Sequence, residues 1–177
     1  MKDLSYQTTF ERTFLLEKIP KPLSRASEHL QIFDNYLEKT RLCLRKIRTP
    51  KSKEYTYSLD QKFPVNENDL SAYNFSTICL NEAEYKVFEQ LERHKTSELR
   101  YNRYFYSYQG KDIEIDVYLS KEIRGLIIGR IFYDSAEEFK KNEFPEFAIL
   151  EVTQNNFFVG QNLIGKTLAD IQSEFKS

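Results

Sequence analysis

Tryptophan is absent from these 177 residues, and glycine, proline, cysteine, histidine and methionine are scarce at five, five, two, two and one copies. Two cysteines, Cys43 and Cys79, cannot build a disulfide framework and fit a reducing compartment. Two histidines exclude a zinc site of the usual Cys/His kind. The few glycines match neither the phosphate-binding P-loop nor the dinucleotide fingerprint. No apolar run approaches the roughly 18 residues of a membrane span. The stretch from Met1 to Gln7 lacks the apolar core of a signal peptide. Together these absences predict a cytoplasmic protein with no membrane contact. Charge of one sign is missing too, since 26 Lys+Arg face 27 Asp+Glu for a net of −1. That balance excludes a globally basic nucleic-acid binder, so any electrostatic specialisation has to be local.

What is present is apolar mass and alternation. Hydrophobic residues make up 40%, with 14 Phe and 12 Tyr, enough for one core in a single domain spanning residues 1–177. Polar and apolar residues alternate through Thr9–Phe14, Arg41–Ile47, Tyr57–Lys62, Ser76–Leu80, Leu99–Phe105, Ile113–Tyr118, Leu126–Tyr133 and Ile149–Asn155. Period-two patterning of this kind predicts half-buried strands. Eight or so of them argue for a large antiparallel sheet or a closed barrel, an α+β fold with a few flanking helices. A hairpin turn is expected at Tyr108–Lys111. Asn81 and Glu84 have capping-box spacing ahead of a helix whose expected apolar face is Ala83, Val87, Phe88 and Leu91. Short helices are also expected from Asp134 and from Lys166, the latter with Leu168, Ile171 and Phe175 as its stripe.

Side chains at i and i+2 share a strand face. One face carries Thr9, Glu11 and Thr13, then Arg41, Cys43 and Arg45, then Ser58, Asp60 and Lys62. Further along it carries Tyr101 and Arg103, Glu114, Asp116 and Tyr118, Arg130 and Phe132, and Glu151, Thr153 and Asn155. Two placements satisfy this pattern. Either the polar face meets bulk water on an open sheet, or it lines the lumen of a closed barrel. In a lumen, arginines could grip phosphate oxygens bidentately and carboxylates could hold Mg2+ or Mn2+.

The order of short motifs favours the lumen. Phe10-Glu11-Arg12-Thr13-Phe14-Leu15, Ile32 to Leu37, the basic run Arg41 to Arg48, and Tyr57-Ser58-Leu59-Asp60-Gln61-Lys62 follow in sequence. Leu80-Asn81-Glu82-Ala83-Glu84-Tyr85, Arg103-Tyr104, Glu114-Ile115-Asp116-Val117-Tyr118 and Glu151-Val152-Thr153 complete the series. The set resembles the CYTH family, the triphosphate tunnel metalloenzymes, over nearly the whole chain. That resemblance implies an antiparallel eight-stranded tunnel binding triphosphates or nucleotides with a divalent metal, and it allows a homodimer.

The residues depart from the family pattern at several places. Glu11 stands where the family's first-strand carboxylates do, but Thr9 and Thr13 replace its companion Glu and Lys. A later E-x-E reads Arg130-Ile131-Phe132, and Asn155 stands for an Asp. The resemblance makes Arg41, Arg45, Lys62 and Arg103 the phosphate-binding candidates. Were catalysis retained, Glu11, Asp116 and Glu151 would carry it, with Glu11 and Glu151 as metal ligands. Five cations against five acids leave the inferred lumen nearly neutral, and Arg130 would repel a metal. The expectation is therefore a tunnel protein that binds a phosphorylated small molecule or nucleotide, with standard catalysis lost. The alternatives are a metal-dependent triphosphatase or nucleotidyl cyclase with a reduced metal site, and an interaction scaffold around a sealed polar core. Tyr101, Phe105, Tyr118, Phe132 and Phe157 are the aromatics expected on or near the lumen. Cys43, phased between Arg41 and Arg45, is expected to have a lowered pKa.

Overall fold

The computed structural model describes residues 6–91, 98–141 and 144–175. Strands β1 (Gln7–Leu16), β2 (Leu30–Tyr36), β3 (Leu42–Arg48), β4 (Tyr55–Asn66) and β5 (Asp69–Leu80) precede helix α1 (Glu82–Leu91). Strands β6 (Glu98–Tyr108), β7 (Lys111–Tyr118) and β8 (Ile127–Tyr133) precede α2 (Ala136–Lys141). Strand β9 (Ala148–Glu151) and α3 (Leu168–Glu174) follow. Neighbours run β5-β4-β3-β2-β6-β7-β8-β1, all antiparallel, and the first half of β1 pairs back onto β5. The eight strands therefore close into a barrel, which removes most exposed sheet edges. The short β9 adds to the second half of β1. No helix among the described residues is long and apolar enough to cross a membrane.

The hairpin at Tyr108–Lys111 is as tight as the sequence suggests. Gln109 and Gly110 both have positive φ (+50° and +76°), which a two-residue connection matching strand twist requires. The other expected strands appear, but β5 starts at Asp69 rather than Ser76. Its first half includes Asp69, Ala72 and Asn74, which carry a weak strand signal, and it is held by pairing with both β1 and β4.

Strand alternation sorts the apolar residues into three clusters. Outside the barrel, Phe14, Tyr104, Ile113, Ile115, Ile131 and Tyr133 pack beneath Phe139 of α2 and the loop holding Ile19 and Leu23. Leu44 and Leu59 pack beneath Tyr85 and Phe88 of α1. The Asn81–Glu84 capping box forms with both hydrogen bonds, at 2.8 and 3.0 Å. Its helix, however, docks through Tyr85 rather than through Ala83 and Val87, which are exposed. The side chain of Leu91 lies outside the described residues. Inside the barrel, Leu15, Ile32, Leu99 and Ile128 meet Val152, Phe158, Leu163 and Ile171 from the C-terminal segment. That segment plugs part of the interior with apolar side chains. A side chain at Gly160 would collide with the Tyr36 hydroxyl, so glycine there lets the segment seat against β2. Of the expected α3 stripe, Ile171 is buried while Leu168 and Phe175 stay exposed.

Candidate functional site

The rest of the barrel interior is polar, and a cavity of about 470 Å3 opens into it. Register explains which side chains arrive there. Thr13 lies opposite Arg130, Arg45 lies opposite both Asp34 and Ser58, Arg103 lies opposite Asp116, and Glu114 lies opposite Arg130. Directly opposed residues on antiparallel strands point to the same face, so each of these pairs meets inside.

Two buried aspartates organise the lumen. Asp34 takes a bidentate grip from Arg45, Nε to Oδ1 at 2.6 Å and Nη2 to Oδ2 at 2.8 Å. The Tyr101 hydroxyl donates to the same carboxylate at 2.7 Å. Arg45 also reaches Asp60 through Nη1 at 3.1 Å, and the Thr77 hydroxyl donates to Asp60 as well. Burial pushes the Asp34 carboxyl up, but Arg45 and the hydrogen bonds from Arg45 and Tyr101 outweigh it and hold the pKa below the usual value. Asp116, with a fully inaccessible side chain, is gripped by Arg103 at 2.7 and 2.9 Å and also by Arg130. Against the upward push of burial, those two guanidinium groups keep its pKa low. Arg103 additionally bridges to Glu114 at 2.6 Å. Burial nevertheless leaves the Glu114 carboxyl raised.

Towards solvent the pairing thins. Lys62 contacts Glu11 at 2.6 Å with 39% of its side chain exposed, and its ammonium lies 4.1 Å from the Tyr73 ring centre. Arg41, exposed just before β3, stacks at 4.0 Å on Phe63. Among the described residues it is the cavity cation with no carboxylate in salt-bridge range.

The cavity brings together Thr9, Glu11, Thr13, Arg41, Arg45 and Lys62, and with them Arg103, Arg130, Phe132 and Asn155. Two sequence-level placements need correcting. Asp116 is on the inner face but lies behind Arg103 and Arg130, sealed from the cavity. Glu151 is not in the lumen. It lies opposite Phe14, an outward residue, and faces Arg12 at 3.8 Å on the outside of the barrel. The expected strand Ile149–Asn155 ends at Glu151, where the chain turns as Asn155 N donates to Val152 O, so alternation does not carry Glu151, Thr153 and Asn155 onto one face.

Sequence reasoning gave Asp34 no role in the lumen. Its signal was the alternation Ile32, Asp34, Tyr36 in register with Arg45. Phe63 and Phe75 of the cavity wall were also missed. Tyr101, Tyr118 and Phe132 line the cavity as expected, whereas Phe105 is exposed and Phe157 packs with the C-terminal cluster. Cys43 does line the lumen, but burial and the Asp34 carboxylate push its thiol well up, not down.

The resemblance implies a divalent metal. A hard cation needs several oxygens of its own. Among the described residues no three carboxylate, histidine or cysteine side chains gather at a point that could hold one. Each luminal carboxylate already faces a guanidinium or ammonium group. The residues present do not fit Mg2+ or Mn2+.

With this geometry in hand, solved structures supply a comparison. The barrel superposes on the crystal structure of the inorganic triphosphatase NE1496 with a TM-score of 0.57 and 16% identity, covering 88% of this chain and 93% of that one. The fold is a CYTH-like tunnel. A second crystal structure of NE1496, described as a hypothetical protein, gives a TM-score of 0.56 at 16% identity, with 88% and 97% covered. The PH1819 protein from Pyrococcus horikoshii OT3 gives 0.52 at 17% identity, with 75% and 82% covered. No family model and no curated protein matches the sequence. At these identities the likeness is one of fold.

Proposed function

We propose that this CYTH-like tunnel protein binds a phosphorylated small molecule or nucleotide in its lumen and has lost metal-dependent catalysis. The observation that carries the reading is the division of labour among the luminal cations. Arg45 and Arg103 commit Nε and both Nη atoms to carboxylates, buried at Asp34, Asp60 and Asp116 and half-buried at Glu114. Arg41 and the half-exposed Lys62 stand at the accessible part of a cavity large enough for a small ligand. Of the four phosphate-binding candidates, Arg41 and Lys62 are therefore the ones we assign to the ligand, and Arg45 and Arg103 hold the barrel's interior together.

Loss of catalysis follows from the acids. Two-metal phosphoryl chemistry needs carboxylates free to coordinate, and here Glu11 is bound to Lys62 while Arg130 occupies Asp116. The fold of the inorganic triphosphatase supports a phosphorylated ligand class, with the triphosphatase chemistry itself left to that protein.

The test combines phosphate release with thermal shift on the same samples, using inorganic triphosphate, ATP, GTP and thiamine triphosphate with Mg2+ or Mn2+, plus AMP. A ligand present at a hundred times its Kd adds about 2.7 kcal/mol of stability, a Tm rise of roughly 5–10 °C for a chain of this size. The expected result is such a rise with at least one of these compounds and no phosphate release. Turnover that disappears in Glu11→Gln would overturn the loss of catalysis. No Tm rise with any of them would overturn ligand binding.

A further inference from the structure

Charge limits what this lumen can accept. The four paired cations described above face five carboxylates, so with all groups ionised that network carries one negative charge in excess. Arg41 restores neutrality. A phosphomonoester brings a charge of about −1.5 to −2, and each further phosphoryl group adds to it. To hold a polyphosphate chain, the lumen would have to pull its guanidinium groups off buried aspartates, exposing both members of each pair to an uncompensated environment. A single phosphate can be met at the accessible end by Arg41 and the Lys62 ammonium without touching the aspartates.

The aromatic wall points the same way. Phe63 and Tyr73 are covered by cations, Arg41 and Lys62 respectively. Phe75 and Phe132 line the same cavity and, among the described residues, make no ring or cation contact. Phe75 lies directly across from Lys62 on the paired strands β4 and β5, and β3, which Arg41 immediately precedes, borders β4 on its other side. A ring lying on Phe75 could thus carry a phosphate to Arg41 across the width of about two strands, on the order of 10 Å.

We propose that the lumen takes an aromatic phosphomonoester of nucleoside monophosphate size, its phosphate on Arg41 and Lys62 and its ring on Phe75, and discriminates against polyphosphates. This rests on the lumen being the phosphorylated-ligand site argued above. A neutral lumen whose described residues leave one cation clear of carboxylates and two rings uncovered matches an amphiphilic monoester better than a highly charged chain.

Calorimetry on the full chain with AMP, phenyl phosphate, adenosine and inorganic tripolyphosphate tests it. AMP is expected to bind at least about tenfold more tightly than tripolyphosphate. Arg41→Ala should weaken AMP about tenfold while leaving adenosine unchanged, and Phe75→Ala should weaken both by a similar factor. Tripolyphosphate binding as tightly as AMP, or more so, overturns this inference and leaves the phosphorylated-ligand reading standing. AMP affinity indifferent to Arg41→Ala overturns the assigned position. No heat from any of the four compounds overturns this inference, and the broader reading falls with it if ATP, GTP and thiamine triphosphate also leave Tm unchanged. Melting curves of each variant confirm that lost binding is not lost folding.

Discussion

The inner and outer parts of this lumen use the same residue types for different ends. Inside, Arg45, Arg103 and Arg130 are locked to Asp34 and Asp116, whose side chains are 1% and 0% exposed. Outside, Arg41 rests on an aromatic ring and Lys62, its side chain 39% exposed, meets the buried carboxylate of Glu11. An arginine fork can grip a phosphate or a carboxylate equally well, so residue identity does not decide its role. What decides is whether a carboxylate of the same chain has already filled the fork. A sealed network of this kind is not automatically stabilising compared with an apolar core, but breaking it leaves charges stranded.

The largest effect should come from breaking the inner part. Asp116→Asn removes the only carboxylate within salt-bridge range of Arg130 among the described residues, and the better of two partners of Arg103. Stranding buried charge typically costs about 3–5 kcal/mol, so urea denaturation should show a loss of that order. The equivalent Glu11→Gln change removes a buried carboxylate but leaves Lys62, 39% exposed, able to hydrate its ammonium, and should cost less, about 1–2 kcal/mol. Equal losses would mean that the two parts of the lumen are not distinct.

Acid should expose the same difference. Asp34 and Asp116 have folded-state pKa values depressed below those of the unfolded chain. Their contribution is complete above the unfolded value of about 4 and is lost as pH falls through the lower folded values. Urea midpoints measured from pH 5 downward should therefore fall more steeply in the wild type than in Asp34→Asn, where one of the two titrations is gone. Parallel curves would remove Asp34 from the account. A smaller step on the same network is Tyr101→Phe. It deletes the hydroxyl that donates to Asp34 but keeps the ring, and should cost about 1–2 kcal/mol in the same assay.

Much of this arrangement was legible in the chain. Alternation placed Glu11, Arg45, Lys62, Arg103 and Arg130 on one face, and the ordered motifs indicated that the face closes into a tunnel. Asp34 escapes because the resemblance that places β2 does not say which of its residues point inward. Its partner Arg45 lies 11 residues on, across a turn, and only pairing register joins them. Glu151 failed for the opposite reason. Alternation does not continue through Val152 and Thr153, where Thr13 N donates to the Thr153 hydroxyl and Asn155 N turns back to Val152 O. Period two holds only while the ladder does. The α1 face held at Phe88 but not at Ala83 and Val87, because propensity and spacing cannot tell that Tyr85, and not Val87, meets Leu44 and Leu59.

Arg41→Ala should have the smallest effect on stability and, in our reading, the most specific effect on function. Among the described residues its guanidinium meets no carboxylate, and the residue is exposed, so removing it strands none of them. Substitutions of that sort usually stay within about 0.5 kcal/mol, and its melting curve should overlay that of the wild type. Arg45→Ala makes the informative contrast, since it leaves both Asp34 and Asp60 without their cation and should unfold the protein at markedly lower urea. If Arg41→Ala instead destabilised the fold as much as Arg45→Ala, the accessible cation would be structural like the rest, and the lumen would be a sealed polar core with its function on the outer surface.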